Sequence, residues 1–70
     1  MHPTDKTNPG DDLRYQLVLV LGEGDVPVFA AIARRVNGLI GEGWMPLGAP
    51  IIERLLDGHT QVTQAMVRPN

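Results

Sequence analysis

Apolar residues at every second position open the readable part of the chain. In the run 14–21, Tyr15, Leu17, Leu19 and Leu21 fall on one side of an extended backbone, and Gln16, Val18 and Val20 on the other. The first set is apolar throughout, and the second becomes so after Gln16. A strand wet on one side alternates more cleanly than this, so the pattern predicts a strand covered on both faces over its second half. After Gly22-Glu23-Gly24-Asp25 the period lengthens. Phe29, Ile32, Val36, Leu39 and Ile40, with Ala33 beside them, recur at helical spacing. Asp25 is placed to cap this helix with its carboxylate, and Pro27 suits the first turn, where no donor is needed. Gly41 is a natural stop. A helix over 26–40 is expected.

Residues 44–56 form a second extended run, interrupted by Pro46, Gly48 and Pro50. Asp57-Gly58 signals a two-residue hairpin turn of type I′, with 60–67 as the returning strand. Pairing Leu56 with His59 sets Glu53 against Val62 and Ile51 against Gln64, which leaves neither face cleanly apolar. Either a bulge near the prolines resets the register or both hairpin faces are partly covered. Proline cannot donate to a ladder and is confined to edges or bulges. Pro46 and Pro50 therefore put the second strand at an edge and favour the order 1-3-2 over 1-2-3. The expected fold is α+β, strand–helix–strand–strand, with one helix on one face of a three-stranded sheet. Ahead of it, 1–12 is polar with Met1 the one large apolar residue, and reads as a disordered tail before a single domain at 13–70.

Several of these residues fall into a longer pattern. Tyr15-x-Leu17-Val18, then Val36-Asn37-x-Leu39-Ile40-x-Glu42-Gly43-Trp44-x-Pro46-x-Gly48-x-Pro50, then Gln64-Ala65-Met66-Val67 resembles a small bacterial and phage family, the domain of unknown function numbered seventeen thirty-seven. The resemblance covers roughly 14–68, and its most specific piece is Glu-Gly-Trp-x-Pro-x-Gly-x-Pro. It implies a strand–helix–hairpin fold and supplies no catalytic or ligand residues. The hairpin tip Leu55-Leu56-Asp57-Gly58-His59 is longer and more apolar than the family pattern, and the last strand lacks aromatic residues before Gln64.

Composition narrows the function. At 70 residues a chain buries only about 60% of the surface that its unfolded form exposes, so it needs a staple or a partner. With no cysteine, disulfides and thiolate metal sites are excluded. His2 and His59 lie too far apart in sequence to suggest a metal site, and no cofactor is called for. The formal charge of −2 lacks the basic balance of a nucleic-acid binder. No apolar run approaches the roughly 20 residues of a membrane span. The start has no signal-peptide pattern, and a cytoplasmic location is the default.

The candidate chemistry is thin. Gly22-x-Gly24 before a helix suggests a phosphate loop, but a third glycine is missing and Glu23 and Asp25 bring negative charge. Asp57 and His59 flank a turn without a nucleophile at motif spacing, which argues against catalysis. Arg34, Arg35 and Trp44 are the candidate ligand-binding residues for a small anion such as a nucleotide, although Trp44 equally suits a core position. Association remains as the leading expectation. The protein reads as a non-catalytic assembly module, a homo-oligomer burying the sheet face away from the helix, with Val18, Val20, Ile52 and Leu56 as the expected interface. The alternative is an oligomeric binder that sequesters a small anionic ligand.

Overall fold

The computed structural model describes residues 13–69; the expected tail at 1–12 lies outside the described residues. Four elements follow in order: β1 (Leu13–Glu23), α1 (Asp25–Gly41), β2 (Met45–Arg54) and β3 (His59–Pro69). They form an α+β fold with one antiparallel sheet in the order β1-β3-β2. β3 therefore lies between the two strands that the helix connects. β2 is an edge and is exposed along its whole length, as its two prolines require.

The helix begins one residue earlier than its apolar period implies, and Asp25 does not cap it. Gly24 holds the cap position at φ 79°, with no side chain to accept a hydrogen bond, so Asp25 is the first helical residue. Its carboxylate reaches sideways instead. At the other end Gly43 (φ 96°) turns the chain, and the N–H groups of Glu42, Gly43 and Trp44 donate to the carbonyls of Leu39, Ile40 and Leu39. The buried stripe is Val28 and Ile32, with Phe29, Val36 and Leu39 partly covered. Ile40 is outside it and exposed. At Gly22 the helix comes so close to β1 that an added Cβ would stand 3.1 Å from Val28 Cγ2.

The hairpin differs from the expected two-residue turn. Leu55, not Leu56, pairs with His59, its N–H donating to the His59 carbonyl at 2.8 Å, and Gly58 donates to the Leu55 carbonyl at 3.1 Å. This is a three-residue loop in which Gly58 alone needs positive φ, at 89°. Asp57 keeps an ordinary φ because its carboxylate accepts the His59 backbone N–H at 3.0 Å. The register moves by one residue, setting Ile52 against Val62 and Ile51 against Thr63. Between Leu47 and Ile51 the ladder is broken by a bulge, with three residues of β2 facing Gln64 alone. The nearly buried Gln64 amide fills the gap, donating to the carbonyls of Gly48 (3.1 Å) and Ala65 (3.0 Å).

One face of the sheet carries the core. Val18, Val62 and Met66 meet Val28 and Ile32 of the helix, and Val20 and Trp44 pack against this cluster. Val18 and Val20 therefore face the helix and not away from it, which corrects the facing expected of them.

Candidate interaction surface

The opposite face has nothing over it among the described residues. Tyr15, Leu17, Leu19 and Leu21 line β1 there, with Met45, Leu47 and Ile51 on β2, and each is between 47% and 64% exposed. β3 runs between them with Gln61, Thr63, Ala65 and Val67. With Leu13, this face offers roughly 1,000 Å² of mostly apolar surface, above the 300–600 Å² of the largest patch on a typical soluble monomer. Its acidic members, Glu23 and Glu53, sit at the end near the hairpin tip. The apolar middle is thus uninterrupted by charge.

The sequence pointed to this surface and then away from it. The more uniformly apolar set on β1 is the obvious candidate for the core, yet it is the exposed one. The signals lay in small and polar residues of the other set. Gly22 shares its parity with Val18 and Val20, and a side chain there would crowd Val28 of the helix. On β3, Thr60 and Gln64 share the parity of Val62 and Met66, and both are buried because both have partners.

The other expected site residues are dispersed. Ile52 faces the helix side and lines an open apolar groove of about 380 Å³ with Phe29, Val36 and Pro50. Leu56 stands fully exposed at the hairpin tip, off the sheet. Arg34 and Arg35 share a cleft of about 230 Å³ with Gln16 and Glu42, and Arg35 Nη1 donates to the Leu19 carbonyl at 3.2 Å. Trp44 does not join them; it packs on the core, with the Arg68 guanidinium 5.1 Å above its ring.

The Gly22–Asp25 turn is occupied by internal chemistry. Arg54 donates to Asp25 Oδ2 through Nε (3.1 Å) and Nη2 (2.7 Å), and the Thr60 hydroxyl donates to Oδ1 at 2.6 Å. Arg54 and then Thr60 hold the Asp25 carboxyl below its ordinary value, and Asp25 in turn raises Arg54. The carboxylate at the helix start is thereby charge-paired with Arg54. Asp57 is also lowered, chiefly by the His59 backbone N–H. His59 Nδ1 lies 3.0 Å from the same oxygen but out of line for a hydrogen bond. His59 also lines an open cleft of about 430 Å³ with Asp25, Arg54 and Thr60.

No helix among the described residues is long and apolar enough to cross a membrane. Compared with known protein families, curated proteins and solved structures, the chain matches none.

Proposed function

We propose that this protein is a non-catalytic assembly module that self-associates through its sheet surface. The observation that carries the proposal is the uncovered face of β1, β3 and β2, with seven large apolar residues about half exposed where a soluble monomer has little reason to leave them. The absence of cysteine from the sequence, in a chain this short, also supports a partner subunit as the missing staple and is consistent with a cytoplasmic location. Sedimentation velocity at micromolar concentration tests the reading. A mass of two or more chains is expected, and a stable, folded monomer would sink it.

A second reading has one observation in its favour, the cleft that brings Arg34 and Arg35 together with Gln16. An oligomer could use it to hold a small anionic ligand such as a nucleotide. Glu42 on its rim counts against a highly charged ligand. Thermal-shift screening against nucleotides discriminates, since no shift across the panel leaves assembly alone. Kinship with the family numbered seventeen thirty-seven is likewise proposed. Its most specific stretch has a physical account here, with Gly43 and Gly48 at positive φ, Trp44 on the core and the two prolines on an edge strand.

A further inference from the structure

The uncovered face has relief as well as area. Leu17 and Leu47 flank Ala65 in register, and Leu19 and Ile51 flank Thr63. Over these two rungs, rows of large side chains stand on either side of small ones, and the larger Val67 and Gln61 lie at the ends of the trough. With strands about 4.8 Å apart, the rows are separated by roughly 10 Å, a trough wide enough for one row of leucines. The β1 row is continuous, whereas the β2 row is broken by the bulge and ends in Glu53.

The β2 edge of the sheet resists strand addition. β2 carries Pro46, Pro50 and the bulge, which are devices that blunt an edge. On the β1 edge the Arg35 side chain occupies one carbonyl, that of Leu19. The exposed apolar side chains lie on the face and not along an edge, and a partner that covers them must meet the face.

We propose that the occupant of this face is a second copy of the chain, stacked sheet on sheet, with the β1 row of each copy seated in the β3 trough of the other. The inference rests on the self-association reading and deepens it. Ridge and trough lie on the same face, so the contact is self-complementary and closes on itself as a twofold pair. The β1 row and the trough together offer roughly 700 Å² per copy, near the 800 Å² or so per partner of stable interfaces. The product has four layers, helix–sheet–sheet–helix, with the sheets about 10 Å apart.

The cysteine-free sequence allows single thiols to report on this arrangement. In Ala65→Cys the thiol lies in the trough, and in Leu56→Cys it lies at the exposed hairpin tip. Alkylation of Ala65→Cys is expected to slow about tenfold or more from dilute to concentrated protein, following mass action, while that of Leu56→Cys stays constant. Ala65→Trp fills the trough and should weaken association about tenfold or more even though it adds apolar surface. If the wild type is oligomeric yet Ala65→Cys alkylates at one rate at every concentration, the seating is wrong and self-association survives. Unchanged or tighter association of a folded Ala65→Trp also overturns the seating. A wild type that stays monomeric at its highest soluble concentration overturns both.

Discussion

At the scale of single residues, Asp25 does more than its position in the sequence suggests. A carboxylate one residue from a helix start ordinarily caps the helix. Here it joins three elements, accepting from Arg54 at the end of β2 and Thr60 at the start of β3 while belonging to α1. Its pKa is lowered on folding from an ordinary value of 3.8. A lowered folded value means that the stabilisation is present above the unfolded pKa and is lost as pH falls through the folded one. Asp57 acts in the same direction. Thermal stability should therefore be level from neutrality down to about pH 5 and fall below about pH 4. Asp25→Asn should flatten part of that decline, measured as melting temperature against pH by circular dichroism. An unchanged acid limb would show that the three-way contact contributes nothing.

At the scale of elements, the hairpin sets the phase of the sheet. Gly58 is held at φ 89° with open space around its Cα, so Gly58→Ala tests conformation without a clash. A loss of about 1–2 kcal/mol is expected from urea unfolding, and a loss under half of that would show that the turn relaxes freely. The same turn explains what was legible in the sequence. Strand, helix and hairpin were readable from the change of period between Leu21 and Phe29 and from Asp57-Gly58, and the strand order from Pro46 and Pro50. The facing of the sheet was not. A type I′ turn pairs Leu56 with His59, whereas the three-residue loop pairs Leu55, and a one-residue slip exchanges the faces of a strand. On β1 both parities are apolar, so periodicity could not choose between Leu17 and Val18. That choice belongs to the helix, which packs on the side where Gly22 lets it approach and where Thr60 and Gln64 find partners. Val18, Val20 and Ile52, expected on the face away from the helix, therefore lie on the helix side.

At the scale of the whole molecule, the balance between covered and uncovered apolar residues is inverted. Among the described residues five hydrophobic side chains are buried and thirteen large ones are exposed, a core too small for a lone chain to be comfortably stable. If association supplies the missing burial, stability follows protein concentration by mass action. The melting temperature should rise by roughly 5 °C for each tenfold increase in concentration, given the enthalpy expected of a pair of chains this size. Differential scanning calorimetry over two decades of concentration measures this, and a melting temperature independent of concentration would be that of a self-sufficient monomer.

The bulge in β2 has a consequence for how such a chain can change through its history. Three residues there span the place of one, so the strand carries two more than its partner while Leu47 and Ile51 keep the same facing. A gene that loses or gains a pair of codons at 48–50 leaves every flanking side chain on its original side. Losing a single codon leaves two residues opposite Gln64, the count of an ordinary bulge, and Leu47 can still pair with Ala65 and keep its side. Length variation among descendants of this sequence is therefore expected to gather at this point, where the ladder already tolerates unequal counts.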